Sequence, residues 1–523
     1  MDFLIEKLIL NVLKLPVNWS ELMPQIVARE LHLDPNRING CEIISASVDA
    51  RRGSPKLQLK LLLNCAQTPR GGVPVSAEDI AGMDVASPVM PDKVTLRHPI
   101  VVGTGPAGIS AAYWLAKAGC APLIIDRGFP VEKRIDDYRN FLQSRQLDES
   151  SNLLIGEGGA GTFSDGKLYT GTKDWRGRFL KKLWVECGAP AEILWRSRPH
   201  IGSDKLPGMC ANLRHEIEKL GGVFRFGTEV ADIVVKSGRC AGIKLASGEE
   251  ISAPLVIFAP GLGGRELVRT VCSKAAWEFK FFQTGCRVEH PQEIIDRAMY
   301  HLPRRPAALG AAEYHIVSRA EVGNVSSFCM CPGGTVVNAA SQQGCSITNG
   351  MSCFARDGEF ANSCLITTAD PSMYGSADEV FDIFTALERR IFECGGSDYT
   401  FPAQDVSAFI ANRAGLKNCR TSCDTGIIPG RLDQLLPEIL TEALLPAVRT
   451  FDRKIPGFIA RGKFIGAESF VSSPVRICRD QNTRENPLLP GLYPAGEGCG
   501  LAGGIVSAAC DGLLAAEAAL NVK

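Results

Sequence analysis

Pro99-Ile100-Val101-Val102-Gly103-Thr104-Gly105-Pro106-Ala107-Gly108-Ile109-Ser110-Ala111-Ala112 is the stretch on which the fold turns. An apolar run, Pro99–Val102, meets a glycine turn of the form G-x-G-x-x-G. Small residues then predict a helix over Gly108–Ala118. A second apolar run, Ala121–Ile125, follows and leads into Asp126, 18 residues after Gly108. Strand, turn, helix and strand make a βαβ unit. Gly103 permits the tight turn, Gly105 lets backbone approach a pyrophosphate, and Gly108 lets the helix pack closely on the strand. Thr104, Pro106 and Ala107 complete the turn. The helix start offers free N–H groups and a positive dipole end to phosphates. Asp126 is placed to accept hydrogen bonds from ribose hydroxyls. A glycine turn without a ligand would share the pattern, but not the flanking strands and the acid together. The stretch therefore reads as a Rossmann-type dinucleotide site.

The turn does not distinguish FAD from NAD, and three later segments favour FAD. Val256-Ile257-Phe258-Ala259-Pro260-Gly261 is similar to an Ala-Thr-Gly segment that glutathione reductase-like flavoproteins carry beside the cofactor. Thr228-Glu229-Val230 stands where such folds contact adenine through a valine backbone. Gly491-Leu492-Tyr493-Pro494-Ala495-Gly496-Glu497-Gly498 precedes Gly503-Gly504-Ile505, which opens an apolar helix. In that superfamily a strand ending in Gly-Asp or Gly-Glu holds the ribityl chain. The next helix start faces the flavin pyrimidine edge, where its dipole stabilises negative charge.

The combination resembles the family of FAD-dependent dehydrogenases within the glutathione reductase-like, two-dinucleotide-binding flavoprotein superfamily. The resemblance spans nearly the whole chain. It rests on Ser47-Val48-Asp49-Ala50-Arg51, on Gly156-Glu157-Gly158-Gly159-Ala160-Gly161-Thr162-Phe163-Ser164-Asp165-Gly166-Lys167-Leu168, and on Arg287-Val288-Glu289-His290-Pro291. Phe328-Cys329-Met330-Cys331-Pro332-Gly333-Gly334, Ser473-Pro474-Val475-Arg476 and Tyr493–Ile505 add to it. The resemblance implies a flavin-binding fold and places the loop Gly156–Leu168 along the flavin ring and pyrophosphate. Three departures stand out: Phe470-Val471 where the family has Arg-Thr, Cys286 for an aliphatic residue, and Asp126 for Glu.

Working outward, Phe3–Leu13 reads as a strand and Trp19–Leu31 as a helix capped by Asn18 or Ser20. Cys41–Ser47 and Lys56–Leu63 read as strands about a turn at 51–55. This gives a small α/β, ferredoxin-like module over 1–90, with a linker at Ala86–Pro91. Pro207–Leu220 reads as a helix. Val223–Val235, Cys240–Ala246 and Glu250–Phe258 read as strands, and Asp378–Phe392 and Leu432–Val448 as helices. The expected architecture is α/β, α+β overall. A Rossmann-like FAD-binding domain (96–265 and 456–523) receives an inserted mixed α/β substrate domain (266–455).

The chain has 523 residues, 45% hydrophobic and 22% charged, with 57 basic and 57 acidic side chains. A net charge of zero argues against nucleic-acid or anionic-membrane partners, since both need a basic surface. Nineteen cysteines without staple-like spacing fit reduced thiols and a cytoplasmic location. No apolar stretch is long enough to span a membrane. The implied partner is a small-molecule substrate.

Catalytic candidates are Lys167, His290 and Cys331. Lys167 could stabilise a flavin anion or lie on the surface. His290 could act as a general base or pack structurally. Cys329-x-Cys331 lacks the C-x-x-C spacing of a redox dithiol, which leaves a lone cysteine near the flavin. Arg127 and Arg134, past the second strand, could clasp the adenosine side or be solvated. The expected activity is hydride transfer between flavin N5 and a small organic substrate, with NAD(P)H as a transient donor. An oxygen-using monooxygenase or oxidase is an alternative. A protein that uses FAD structurally to bind a partner is another.

Overall fold

The first 75 residues form their own sheet in the computed structural model, which describes residues 1–51, 53–83, 90, 94–171 and 174–521. Strand β1 (Asp2–Asn11), helix α1 (Met23–Leu31) and strands β2 (Ile38–Asp49), β3 (Lys56–Cys65) and β4 (Gly72–Val75) follow in turn. The sheet is antiparallel throughout, in the order β2-β3-β1-β4. This is the strand order of a ferredoxin-like sheet, with a short turn in place of the second crossover helix. Leu57, Leu59, Leu61, Leu63 and Cys65 alternate along β3 and are buried, as a half-buried strand requires. The helix expected from Trp19 begins instead at Met23, with Pro24 in its first turn and neither Asn18 nor Ser20 capping it. Apart from Met90, the linker expected at 86–91 lies outside the described residues.

The module is stitched to the chain that follows. Ala46 of β2 donates its N–H to the Trp195 carbonyl at 2.8 Å and accepts from Ser197 N–H at 2.9 Å. Trp19 meets Trp195 edge-on at 5.9 Å, and Ala308 and Leu309 join the same core.

The glycine turn sits where the sequence places it. Strand β5 (Ile100–Val102) leads into helix α2 (Pro106–Lys117) and strand β6 (Leu123–Ile125). Helix α3 (Val131–Ser144), helix α4 (Leu206–Lys219), strand β7 (Val223–Arg225) and strand β8 (Val256–Phe258) complete the first part of this unit. Two expected strands are each split. Val223–Val235 breaks at Gly227, and Glu250–Phe258 breaks at Pro254, so an antiparallel three-stranded sheet (230–236, 239–245, 250–252) sits beside the parallel one.

The middle of the chain contributes β9 (Phe282–Pro291), β10 (Val325–Cys331), β11 (Phe360–Ala369), helix α5 (Ala377–Cys394), β12 (Phe401–Asp405), helix α6 (Glu438–Lys454) and β13 (Lys463–Glu468). They build a seven-stranded sheet in the order Val317–Ser318, β10, β11, β9, β13, β12, Ile427–Pro429. Because β13 pairs with both β9 and β12, this sheet takes in chain beyond the boundary expected at 455. The helix expected over Leu432–Val448 is broken by Pro437 into a short turn and α6.

Finally β14 (Leu492–Pro494) returns to the parallel sheet, whose order is β14-β8-β5-β6-β7, and helix α7 (Ile505–Leu520) packs on α2. Among the described residues, no helix is long and apolar enough to cross a membrane.

The α2–α7 contact leaves no room for side chains. A Cβ on Gly512 would stand 1.9 Å from the Ala107 carbonyl oxygen. Backbone on backbone cannot yield cheaply, so Gly512→Ala should cost about 1–3 kcal/mol. Its urea midpoint should fall with an unchanged m-value; an unchanged midpoint would show the two helices to be more loosely packed than this.

Candidate functional site

A cavity of about 1250 Å³ is lined by residues of both the parallel sheet and the seven-stranded sheet. Single-ligand pockets hold roughly 300–1,000 Å³, so this one has room for an extended cofactor with a small substrate.

At one end lies the glycine turn. Gly103, Thr104, Gly105 and Pro106 line the cavity. Gly103 has φ +94°, and a Cβ there would stand 2.2 Å from the Ala259 carbonyl oxygen. A Cβ on Gly108 would stand 1.9 Å from the Gly103 carbonyl oxygen, so Ala107 and Gly108 pack behind the turn and do not line the cavity. Gly105 differs: its backbone is ordinary and open space lies where its Cβ would be. Asp126 lines the cavity but already serves the turn. Its Oδ2 accepts from the Thr104 N–H at 2.8 Å and hydroxyl at 2.6 Å, and its Oδ1 accepts from Gly128 N–H at 2.8 Å. A carboxylate has about four acceptor positions, so one remains for a ligand hydroxyl.

The glycine loop crosses in front of the turn, where Gly158 donates its N–H to the Thr104 carbonyl at 2.9 Å. Gly159, Ala160 and Gly161 line the cavity, whereas Gly158 and Thr162 turn away from it. Thr162 donates its hydroxyl to the Glu157 carbonyl. Arg134 is fully buried and outside the cavity. Its guanidinium donates to the carbonyls of Asn152, Glu157 and Gly159, and burial lowers its pKa to about 10. The two readings open for Arg134, adenosine clasp and solvated side chain, are both corrected: it fastens the loop from behind. Arg127 does line the cavity, 3.6 Å from Glu229. Val230, Ala259 and Gly261 line it as well.

From the far side, Gly496 donates its N–H to Asp511 Oδ2 at 2.9 Å and stays beneath the surface. Glu497, Gly503, Gly504 and Ile505 reach the cavity, so the start of α7 faces it. Burial raises the Glu497 carboxyl to about 7, only partly countered by the charge of Lys280 and the Gly504 N–H. Two helix starts, α2 and α7, thus converge on one cavity. A hydrogen-bonding acid lies near each.

Beyond Gly161 the wall becomes charged. Lys167 is largely buried, pairs with Asp165 and donates to the Met330 carbonyl; it is not a free surface lysine. Burial alone would lower its pKa, but Asp165 holds it above the usual value. Cys331 and Cys329 line the cavity at a bulge in the β10–β11 pairing. Burial raises the Cys331 thiol, so it is protonated at neutral pH. His290 is not brought to this site. It is 1% exposed, its ring lies tilted against Phe458 with centroids 4.1 Å apart, and its Nε2 lies 3.0 Å from the Phe458 carbonyl oxygen. Burial lowers its pKa to about 4, which fits a structural histidine and removes it as a base for this cavity.

Sequence reasoning did not find Arg198 and Glu313, which line the cavity, or Arg356, which is buried among them. They stand far apart in the chain with no motif around them. The departure at Phe470-Val471 is resolved as packing: Phe470 lies 5.0 Å from Phe384 and 5.9 Å from Phe381, while Val471 lines the cavity.

The fold and cavity define an α/β dinucleotide-type protein, and residues 281–470 match the family described as FAD-dependent protein, C-terminal domain-like. The chain is 35% identical over 503 residues to an uncharacterized protein of Clostridium beijerinckii, covering 94% of each, and it belongs to the same family as that protein. Among solved structures, a geranylgeranyl bacteriochlorophyll reductase-like protein from Thermoplasma acidophilum matches at 14% identity with a TM-score of 0.34, over 80% of this chain and 77% of its own. Glycine oxidase from Geobacillus kaustophilus matches at 13% identity with a TM-score of 0.33, over 82% and 96%.

The Glu497 shift has a pH consequence for the apoprotein. Its carboxyl titrates near 7 folded, against an ordinary value of 4.5. The folded state therefore binds the extra proton between those values, and the contribution of Glu497 to stability is greatest below about 4.5. It falls as pH rises, by at most roughly 3 kcal/mol at pH 7 and above. Urea unfolding across pH 4.5–7.5 should show the wild type losing stability relative to Glu497→Gln as pH rises; a difference that stays constant with pH would contradict the assignment.

Proposed function

We propose that the protein is an FAD-dependent oxidoreductase that moves a hydride between flavin N5 and a small organic substrate held in the same cavity. The observation that carries this reading is the convergence of the glycine turn and the Glu497–Ile505 segment on one cavity larger than a single small ligand needs. Bound FAD would supply the hydride-accepting ring. The chain's own residues bind, orient and shield it.

In this reading Gly105 leaves room for the pyrophosphate, and the start of α2 provides N–H groups and dipole for it. Asp126 takes an adenosine ribose hydroxyl with its remaining acceptor position, Arg127 borders the adenosine side, and Val230 offers backbone to adenine. Ala259 and Gly261 flank the cofactor, along with Gly159, Ala160 and Gly161. Glu497 accepts from the ribityl hydroxyls, and Gly503, Gly504 and Ile505 aim the start of α7 at the pyrimidine edge, where a positive dipole end favours negative charge. The largely buried cation Lys167 lies further along the same wall. NADH or NADPH would act as a transient donor occupying the substrate part of the cavity. Water exclusion and fixed geometry are the protein's contributions to rate.

The purified protein should be yellow and release FAD rather than FMN on denaturation. Gly105→Trp should fold with unchanged far-ultraviolet circular dichroism and lose flavin, because its side chain enters the open space beside the turn. Full flavin occupancy in that variant, or colourless wild type that takes up no added FAD, would overturn the assignment. Anaerobic reduction screened with metabolite pools, NADH and NADPH then identifies the donor. Rapid reoxidation in air through a C4a adduct would instead mark a monooxygenase or oxidase.

A further inference from the structure

We propose that the cavity beyond Gly161 is a subsite for an organic carboxylate with a flat, apolar body, its acid group held by Arg198 and Lys167. This rests on the flavin reading above, whose substrate class it names.

Charge is the first observation. Three cations share two carboxylates. Lys167 pairs with Asp165 and lies 3.8 Å from Glu313. Arg356 donates Nε to Asp165 Oδ1 at 2.9 Å and lies 3.6 Å from Glu313. Arg198 donates to Glu313 at 3.0 Å. The group therefore carries one positive charge in excess, with Lys167 and Arg356 largely buried. Asp165 and Glu313 balance the two largely buried cations, and the excess falls on Arg198, which lines the cavity with its side chain 59% exposed and can pair with an incoming anion. The group does not neutralise itself by proton transfer. Burial would raise Asp165, but Lys167 and Arg356 hold it well below the usual carboxylate range.

Donor geometry is the second. Among the described residues Arg198 uses only Nη1, so its Nε–Nη2 edge, the edge that matches a carboxylate in bidentate fashion, is free. Lys167 has three donors and spends two, on Asp165 and the Met330 carbonyl.

Shape is the third. Tyr169 is 52% exposed and Phe328 37%, although both line the cavity. Ile366 and Val471 line it as well. Aromatic faces left open beside apolar walls suit a flat apolar ligand body. The position of Arg198 is also fixed from outside. It follows Ser197, whose N–H bonds to Ala46 of the N-terminal module, and Glu313 follows the Ala308–Leu309 pair buried in that module's core.

The test is a flavin-absorbance titration of the holoprotein with phenylacetate, phenylacetamide and phenethylamine. Phenylacetate should perturb the flavin saturably and bind at least tenfold tighter than the amide, with the amine weakest. Arg198→Gln should remove the acid's advantage and leave amide binding within about twofold. Tyr169→Ala should weaken acid and amide alike. Amide or amine binding as tightly as the acid, no binding by the acid, or an undiminished acid preference in Arg198→Gln would overturn the proposal. Competition by NADPH or inorganic phosphate at equal strength, with no effect of the apolar body, would make the site a phosphate subsite and also overturn it. A chain that takes up no FAD defeats the flavin reading instead, and calorimetry with the same three ligands then decides the subsite without the chromophore.

Discussion

The structure depends on backbone meeting backbone without side chains between. Gly103 touches the end of β8, Gly108 touches Gly103, and Gly512 touches Ala107. These contacts bring β5, β8, α2 and α7 closer than any Cβ would permit. Both helices are accordingly rich in alanine along their shared face. The result is that two helix starts from opposite ends of the chain open on the same space. The charge environment there belongs to oriented peptide groups, with a single acid near each helix. Such dipoles are fixed when the fold forms and need no rearrangement when a charged ligand arrives.

Around that fixed centre, the loop 156–168 is held by polar atoms that the cavity never sees. Arg134 spends its donors on three carbonyls, and Glu157 accepts from Val131 N–H and from Arg214. A glycine-rich segment costs much backbone entropy to order. A buried guanidinium with a carbonyl partner for each nitrogen is one way to keep it in a single conformation. The same economy of contact governs the far wall, where the N-terminal module holds the Trp195–Arg198 segment by two backbone hydrogen bonds and a tryptophan pair. The module is an accessory in the chain order, yet its edge strand shapes the cavity.

What could be read from the sequence follows a physical divide. The β5–α2–β6 unit, the alternation along β3 and the helix after Gly504 are local patterns, and local patterns are legible. Gly227 and Pro254 also carry the signal that splits their strands, but long apolar runs outweighed it. The seven-stranded sheet runs past the boundary expected at 455 because β13 pairs across more than 170 residues with β9, and no local pattern announces such a partner. Arg134 is a candidate for its place past the second strand and His290 for its residue type; burial and carbonyl partners decide their roles, and these are tertiary facts. Asp126 falls between the two: spacing brings it to the cavity wall, and Thr104 and Gly128 take three of its acceptor positions. Arg198, Glu313 and Arg356 form their group only after the N-terminal module and the seven-stranded sheet are assembled.

The strand order β14-β8-β5-β6-β7 sets a timetable. The glycine turn leaves the ribosome early, but β14, Glu497 and the start of α7 follow some 390 residues later. At about 5–20 residues per second this is a wait of roughly 20–80 s. During it α2 lacks the helix that covers its alanine face, β8, once made, keeps an open edge until β14 arrives, and the Glu497–Ala508 part of the cavity wall is missing. A nascent chain in this state has little with which to retain a nucleotide, and it shows a sticky strand edge to its surroundings. Ligand capture therefore belongs to the finished fold and can help pull the late segment into place.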